Sequence, residues 1–495
     1  MNARTDRLVA RGPFLLMWCK LTCLGGEQSR MDFHTLDAQP ETAAPSQHSE
    51  RHASVLDEDS RGSPFGRGSE AHVETETAAV ASRSRPAWRL ERKLLERLIA
   101  ALGHPPISIA LWSGEAVSPP GVPVQAGVQI ADRATLWKVL LDPQYQFCRG
   151  YCEGRIKVAG NLLEFLRTVE RTLLRRRGPR FSGQGLSRWI RFRRPNTLAA
   201  SRENIHRHYD LGNDFYSLWL DEQLLYTCAY YARPEMTLEE AQIAKMDHVC
   251  RKLWLRPDER VVEAGCGWGA LALYMARKYG VRVRAYNISR EQVRSAQERA
   301  RAEGLDERVE FIEDDWRNIA GRYDAFVSVG MLEHVGPANY TRLGDVINRC
   351  LKSDGRGLIH TIGNNAPRRL DKWTERRIFP GAQPPALSQM TRIFEPHGFS
   401  VLDVENLRLH YARTLEQWLE RFESAEDAVR GMFDEEFVRT WRLYLSASIA
   451  AFESGWLQLF QVLFAPGTTN DVPWTRAQLY VATAESPDRF CKRAP

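Results

Sequence analysis

The sequence predicts an α/β fold with a doubly wound parallel sheet, preceded by a smaller α+β domain. Between residues 260 and 362, short apolar runs alternate with helical patterns, and this alternation is typical of parallel strands joined by helices. A glycine-rich turn follows the first of these runs, where open α/β sheets bind their ligands. The chain of 495 residues is long enough for two or three domains.

Residues 1–86 are predicted to be a disordered tail, because they are rich in small and polar residues and poor in aliphatic ones. The apolar run 14–24 is broken by Lys20 and is too short to span a bilayer. No small-x-small cleavage site follows it. The unusual composition of residues 1–30 makes Met31 an alternative start of the protein.

A small α+β domain is predicted at residues 87–175. Strands are expected at 107–112 and 122–130, and turns at Gly114 and 119–121. A helix is expected at 134–141, and another begins after Asn161, which is a favourable N-cap residue. The first helix of the domain is indicated by apolar residues at helical spacing: Leu90, Leu94, Leu95, Leu98 and Ile99.

A basic linker is predicted at 176–200. Ten arginines and a single acidic residue lie between Arg167 and Arg194, interleaved with aromatic side chains, although the whole chain carries a net charge of only +6. This pattern suits the surface of an anionic membrane. RNA and a merely solvated linker are alternatives that the pattern leaves open.

The glycine-rich turn predicts a nucleotide-type cofactor. Strand 260–263 ends in Glu263, and Gly265, Gly267 and Gly269 follow, where missing side chains let the backbone approach a ligand. The dinucleotide pattern expects an acidic residue about 20 positions later, but the next strand ends in Asn287. The turn therefore suits S-adenosylmethionine as readily as a dinucleotide, and a turn without cofactor is the remaining alternative.

The strands that follow are predicted at 281–286, 309–313, 323–329 and 357–362, with helices reaching 278 and spanning 289–303. Polar groups follow their carboxyl ends, where ligands bind in such sheets. Asp314, Asp315 and Trp316 could contact an adenine, while Glu333 with His334, and His360, could form a polar cluster. Late apolar helices are expected at 415–422 and 437–464.

The sequence indicates neither a metal site nor a disulfide framework. The nine cysteines form no C-x-x-C pair and are odd in number, which favours a reducing cytosol. His206 and His208 have a spacing that could suit a metal, but no third ligand is identifiable. We therefore expect no metal site.

Several segments together resemble the cyclopropane-fatty-acyl-phospholipid synthases and mycolic acid cyclopropane synthases. The resemblance covers about residues 90–470 and is carried by motifs in matching order: 208–215, 225–231, 263–269, 328–336, 358–363 and 378–381. It implies a Rossmann-like methyltransferase domain at 201–485 with a helical lipid-binding cap. A cysteine of several members is replaced here by Ser448, which argues against an essential thiol.

The resemblance also implies two sets of site residues. The set for S-adenosylmethionine is Tyr226, Thr227, Glu263, Gly265, Gly267, Gly269, Ile288, Gln292, Trp316 and Arg317. The set for bicarbonate comprises the side chains of Glu333, His360 and Tyr411 and the backbone of Cys228 and Ile362.

The activity implied by the resemblance is methyl transfer from S-adenosylmethionine to a cis double bond of a phospholipid acyl chain. Bicarbonate would then assist the deprotonation that closes a cyclopropane ring. A methyl- or methylene-branched product and, less favoured, a different small-molecule substrate are alternatives. We expect a cytoplasmic enzyme that contacts the inner membrane face through its basic linker, without nucleic acid, and a homodimer is one open oligomeric state.

Overall fold

The computed structural model describes residues 89–176 and 211–480. The predicted tail, the basic linker after its first residue, and both His206 and His208 lie outside these ranges. The division into domains therefore stays a prediction.

The first described region contains a four-stranded sheet with helices. Its elements are α1 (Arg89–Leu102), β1 (Ile107–Ala110), β2 (Ala116–Val117), β3 (Ala126–Ile130), α2 (Arg133–Leu141), α3 (Pro143–Cys152), β4 (Ile156–Ala159) and α4 (Leu162–Arg176). The strand order is β2-β1-β3-β4, and only β1 and β3 are parallel. As predicted, the Asn161 side chain accepts a hydrogen bond from Glu164 N at the start of α4 (3.1 Å).

The strand predicted at 122–130 begins only at Ala126. Pro123 lacks the N–H group that a strand residue donates, and Val122 and Val124 are exposed rather than alternating between two faces. The prediction was therefore wrong for residues 122–125.

The second region begins with helices and continues as an alternating α/β unit. The elements are α5 (Asn213–Ser217), α6 (Leu238–Lys252), β5 (Arg260–Ala264), α7 (Ala270–Tyr279), β6 (Arg282–Asn287), α8 (Arg290–Ala302), β7 (Val309–Glu313), β8 (Tyr323–Val329), α9 (Leu332–Val335), α10 (Tyr340–Cys350) and β9 (Leu351–Gly363). The chain ends with α11 (Lys372–Arg377), α12 (Leu387–Phe394), β10 (Phe399–Asn406), α13 (Arg408–Ser424), α14 (Glu426–Met432), α15 (Glu435–Glu453) and β11 (Gln458–Pro466).

These strands form a seven-stranded sheet in the order β10-β11-β9-β8-β5-β6-β7. The pairs from β9 to β7 are parallel, and β11 runs antiparallel to both of its neighbours. The predicted doubly wound sheet is thereby confirmed. Because β5, β6, β8 and β9 run in one direction, their carboxyl ends meet at one edge.

The helix predicted at 437–464 was wrong in its second half. Helix α15 ends at Glu453, and Gly455 adopts a positive φ of 71° just beyond it. The next segment forms β11, whose residues 458–465 are all buried. A strand covered on both faces has a continuous apolar pattern, which resembles that of a buried helix.

Helices α13 and α15 pack against each other and form a cap beside the sheet. Helices α3 and α4 of the first region also contact α15. The side chain of Arg167 on α4 donates hydrogen bonds to Glu416 (2.6 Å) and Glu453 (2.5 and 2.8 Å) across this boundary. None of the helices in the described ranges combines the length and apolar character needed to span a bilayer.

Candidate active site

The glycine-rich turn lies between β5 and the first turn of α7 and is fixed to the next strand. The N–H groups of Gly265 and Cys266 donate to the carbonyl of Tyr286 at 2.8 and 3.2 Å. A Cβ at Gly269 would lie 2.5 Å from the Phe311 ring, whereas one at Gly267 would meet no atom of the described residues within 4 Å. Gly269 therefore serves packing, and Gly267 faces open space.

A cavity opens at this turn and contains six of the ten predicted cofactor residues. Its other walls come from the end of β8, the start of α9 and the buried face of α6. The predicted residues in its wall are Tyr226, Thr227, Glu263, Gly265, Gly267 and Gln292.

Four predicted cofactor residues lie outside the cavity wall. Gly269 packs on Phe311, and Ile288 is half-buried beside Asn287. Arg317 donates to both carboxylate oxygens of Asp315 (2.9 and 2.8 Å) and stacks on the Trp316 ring at 4.6 Å. The cofactor roles of these four residues stay predictions.

The cavity is polar on one side. Asn287 Nδ2 donates to Gln292 Oε1 (2.8 Å) and to the carbonyl of Gly267 (3.2 Å), which holds the Gln292 amide beside the glycine turn. Lys245 Nζ donates to Thr227 Oγ1 at 2.8 Å. Burial raises the pKa of Glu263 to about 8 and lowers that of Lys245 to about 8.

A second polar group lies directly behind this cavity. Glu333 Oε1 accepts a hydrogen bond from Ile362 N at 2.5 Å, and burial raises the pKa of this carboxyl to about 7. His360 Nδ1 lies 3.1 Å from the amide nitrogen of Gln461, and burial lowers the pKa of the imidazole to about 3. Glu333 Oε2 and His360 Nε2 are buried and have no hydrogen-bond partner among the described residues.

Backbone contacts bring Tyr411, Cys228 and Ile362 to the same region. The carbonyl of Leu407 accepts from Tyr411 N (3.2 Å) and lies 4.0 Å from Cys228 Sγ, while Leu407 N donates to the carbonyl of Leu459 (2.9 Å). Leu459 is the β11 partner of Ile362 on β9. Glu333, His360 and Ile362 thus lie at the carboxyl end of β9, and Leu407 links the backbone of Tyr411 and the thiol of Cys228 to the neighbouring strand β11. The role of these five residues in binding bicarbonate stays a prediction.

The thiol of Cys228 is poorly suited to nucleophilic chemistry. It is fully buried, burial raises its pKa, and Sγ lies 3.1 Å from the carbonyl of Ala229. A thiolate is the reactive form of cysteine. Only the backbone of Cys228 is therefore a candidate for binding.

The turn between β8 and α9 contributes residues to both polar groups. Gly330, Met331 and His334 line the cofactor cavity, while Glu333 on the same turn belongs to the second group. The Gly330 N–H donates to the His360 carbonyl at 2.9 Å. Burial lowers the pKa of His334 to about 4, so its imidazole is neutral near pH 7.

Aromatic side chains of the cap pack on Tyr226, which lines the cavity. The hydroxyl groups of Tyr226 and Tyr444 are 2.9 Å apart, and the Tyr226 ring packs on Trp219 and Trp418. Tyr411 packs on Phe452 with ring centroids 4.6 Å apart. Faces of aromatic rings attract positive charge in such a water-poor setting.

Lys245 and His334 were not among the residues assigned to the cofactor from the sequence. Lys245 lies four residues after Ala241 and four before Val249 on the buried face of α6. A lysine inside an apolar helical stripe is unusual. That signal was present in the sequence and was missed because α6 itself was not predicted.

Comparisons with known proteins agree with this geometry. The family model described as mycolic acid cyclopropane synthetase matches residues 196–462. A probable fatty acid methyltransferase of Pseudomonas putida is 34% identical over 389 residues, which covers 76% of this chain and 97% of the relative. The cyclopropane-fatty-acyl-phospholipid synthase of Escherichia coli K12 is 43% identical over 264 residues, or 53% of this chain and 68% of that protein.

A solved structure extends the comparison to the fold. Mycolic acid cyclopropane synthase CmaA1, complexed with SAH and CTAB, aligns with a TM-score of 0.51 and 31% identity over 53% of this chain and 97% of that one. The glycine turn, the cavity and the match of more than half of the sequence lead to one assignment. The chain belongs to the mycolic acid cyclopropane synthetase family and is an S-adenosylmethionine-dependent C-methyltransferase.

Proposed function

We propose that this enzyme transfers a methyl group to the cis double bond of an unsaturated acyl chain in a membrane phospholipid and closes a cyclopropane ring there. One observation carries the proposal: Glu333, with a buried unpartnered oxygen, is adjacent in the chain to His334 of the cofactor cavity wall, and the carbonyl of His360 accepts a hydrogen bond from Gly330 of the same wall. Methyl transfer and proton removal would thus take place side by side. The names of the relatives from Pseudomonas putida and Escherichia coli support the same class of substrate.

S-adenosylmethionine would supply a methyl group bonded to a positively charged sulfur, which is electrophilic. The residues available to hold it are those in the cavity wall, above all Thr227, Glu263 and Gln292. Their role is to fix the methyl group in line with the alkene. Such positioning lowers the barrier for a weak nucleophile by several kcal/mol.

The alkene electron pair would form the new carbon–carbon bond as the bond between sulfur and the methyl carbon breaks, which would leave a carbocation on the acyl chain. The Tyr226 ring lines the cavity and packs on Trp418, which in turn packs on Tyr411. These rings would exclude water that could trap the cation as an alcohol, and aromatic π-faces attract positive charge.

A proton must then leave the transferred methyl group so that its electron pair closes the ring. Glu333 Oε2 and His360 Nε2 are buried polar atoms without a partner among the described residues, which fits a small polar guest. Bicarbonate held by Glu333, His360 and Tyr411 would supply the base. The raised pKa of Glu333 reduces its repulsion of an anion, because the carboxyl is partly protonated near pH 7.

A branched acyl product is the second candidate, because the Pseudomonas putida relative is named a probable fatty acid methyltransferase and its name specifies no ring. The products differ in where the cation lies and in which proton leaves it. A methyl proton lost while the cation is on the neighbouring chain carbon closes the ring, whereas the same loss after a 1,2-hydride shift has moved the cation to the methylated carbon gives a methylene branch. A proton lost from the chain leaves a methyl branch beside a new double bond.

The site of action follows from the substrate. An acyl double bond lies within a bilayer, so we place the enzyme at the inner face of the cytoplasmic membrane. The support is the density of arginine and aromatic residues in the sequence between Arg167 and Arg194.

The test is fatty acid analysis of a bacterial host that makes no cyclopropane lipids. Expression should add one CH₂ unit to monounsaturated acyl chains, in a form that resists hydrogenation, and Glu333→Gln should abolish the product. Glu170→Gln is the matched control, because burial also raises the Glu170 pKa to about 7, but this residue lies on α4 near Ser454. Loss of product in both variants, or in neither, would contradict the role of Glu333.

A further inference from the structure

Lys245 is a buried charged residue that the mechanism above does not use. It is 1% exposed, lies on α6 and forms part of the cofactor cavity wall. Its ammonium group donates one hydrogen bond, to Thr227 Oγ1 at 2.8 Å. An ammonium group has three donors, so two N–H groups remain available to a ligand beside Thr227.

A second ionisable group lies in the same wall. Glu263 is buried, and its Oε2 has no hydrogen-bond partner among the described residues. The charges of Lys245 and Glu263 interact, and each favours the ionised form of the other. One side of the cavity thus offers a cation and an acid next to one another.

The methionine part of the cofactor has the complementary pair of charges. It carries an α-carboxylate and an α-ammonium group on one carbon atom, and its sulfonium is also positive. Lys245 repels both cations of this molecule and attracts only its carboxylate. Glu263 has the opposite preference, so the pair of side chains can bind an amino acid zwitterion in one orientation.

The position of Thr227 strengthens this assignment. Its hydroxyl oxygen accepts the hydrogen bond from Lys245, which leaves the hydroxyl proton free to be donated onward to a carboxylate. The neighbouring residue Gln242 donates its side-chain amide to the carbonyls of Leu225 (3.1 Å) and Thr227 (2.9 Å). Helix α6 therefore holds both the backbone and the hydroxyl of this segment in place.

We propose that Lys245 is a cofactor-binding residue that, together with Thr227, binds the α-carboxylate of S-adenosylmethionine, while Glu263 receives the α-ammonium group. This inference rests on the proposed function only through the cofactor. Lys245, Thr227 and Glu263 would together fix the orientation of the methionine end of the ligand.

The test is calorimetric titration of the full chain with S-adenosylmethionine and with its decarboxylated analogue. The wild type should bind the decarboxylated analogue more weakly. Lys245→Met should weaken binding of S-adenosylmethionine by about 10- to 100-fold, as expected for loss of a hydrogen bond to a charged group. Binding of the decarboxylated analogue should change little.

Lys252→Met is the matched control. Lys252 lies on the same helix, is also 1% exposed, and its Nζ is 2.7 Å from Glu405 Oε2, outside the cavity wall. This variant should lose stability but keep both affinities. Equal loss of both ligands in Lys245→Met would show a merely structural role and overturn the proposal.

The wild type alone also decides the question if Lys245→Met does not fold. Equal affinity for the two ligands would overturn the proposal without any variant.

The lipid product is assayed in a separate experiment. A wild type that binds S-adenosylmethionine with the expected preference but modifies no acyl chain would contradict the proposed function and leave the role of Lys245 intact.

Discussion

Glu333 illustrates how burial alone prepares a residue for this chemistry. Its carboxyl group accepts one backbone hydrogen bond, from Ile362, yet its pKa is raised to about 7 because desolvation outweighs that bond. The sequence indicated Glu333 and His360 as strand-end polar residues. The sequence could not show that each would keep one polar atom without a partner, because that depends on the packing of β9, β11 and α13 around them.

The raised pKa has a consequence for stability. In the unfolded chain the carboxyl titrates near 4.5, and in the folded protein near 7. Between these values the folded state holds a proton that the unfolded state has lost, so this group makes the protein less stable as pH rises. Glutamine does not titrate. The free energy of unfolding of Glu333→Gln minus that of the wild type should therefore grow by on the order of 3 kcal/mol from pH 4.5 to 7.

Urea unfolding at a series of pH values measures this difference. Glu405→Gln is a useful comparison, because His248 and Lys252 lower the pKa of Glu405 to about 2 despite its partial burial. Its folded pKa lies below the ordinary value, so it stabilises the protein above pH 4.5 and loses this effect as pH falls towards 2. A pH-independent difference for Glu333→Gln would contradict the burial that the structure describes.

Two glycines of the cofactor turn should respond differently to alanine. A Cβ at Gly269 overlaps the Phe311 ring, and the residue has a φ of +83°, so Gly269→Ala should cost about 2 kcal/mol or more of stability. A Cβ at Gly267 meets no described atom but enters the cavity. Gly267 also has a positive φ of 52°, so Gly267→Ala should cost about 1 kcal/mol of backbone strain without any packing overlap, and should weaken S-adenosylmethionine binding at least about 10-fold.

Thermal unfolding with and without S-adenosylmethionine separates the two effects. Gly269→Ala should lower the melting temperature without ligand, and Gly267→Ala should mainly reduce the increase that the ligand produces. The same behaviour in both variants would mean that the two glycines do not have separate roles.

At the scale of elements, a buried polar junction joins β9 to the loop before β5. Arg356, which is 3% exposed, donates to both carboxylate oxygens of Glu259 (2.8 and 2.5 Å) and to the carbonyls of Leu253 and Trp254. Removal of the arginine leaves the Glu259 carboxylate and two carbonyls without these donors. Arg356→Met should therefore cost about 3 kcal/mol or more.

Arg284→Met provides the control at the element scale. Arg284 pairs with Glu310 across β6 and β7, and its side chain is 36% exposed, so its loss should cost less than about 1 kcal/mol. Chemical denaturation of both variants measures the difference. Equal costs would contradict the distinction between the buried and the exposed pair.

Local sequence patterns predicted some elements better than others. Strands β5 to β8 were placed within one residue at each end because each is a short apolar run. Helices α7 and α8 separate the first three of these strands, and a polar segment with one 3-10 turn separates β7 from β8. The strand β11 was mistaken for helix, since Leu459 to Phe464 are buried on both faces. This segment is a strand because it pairs with β9 and β10. A local sequence pattern cannot show such contacts with distant parts of the chain.

At the scale of the whole molecule, the first region (residues 89–176) packs against the helices of the cap. Its buried residues and those of α13 and α15 form one continuous apolar core. The sequence divided the chain into domains by composition, and this division did not reveal the shared core. The Arg167 contacts with Glu416 and Glu453 add charge complementarity to the same boundary.

We expect the basic residues 175–177 to contribute to membrane contact. Replacement of Arg175, Arg176 and Arg177 by glutamate should weaken sedimentation with anionic phospholipid vesicles, because each basic residue near such a surface contributes about 1 kcal/mol. Neutral vesicles serve as the control. Undiminished sedimentation with anionic vesicles would remove the linker from the membrane contact.

The central claim is that methyl transfer is followed by loss of a proton from the transferred carbon. The most direct measurement uses purified enzyme, vesicles of monounsaturated phospholipid and S-adenosylmethionine with a fully deuterated methyl group, followed by mass spectrometry before and after hydrogenation. Ring closure predicts an added carbon that keeps two of its three deuterium atoms and a product that resists hydrogenation. An added carbon that keeps all three, in a methyl branch, would contradict the account.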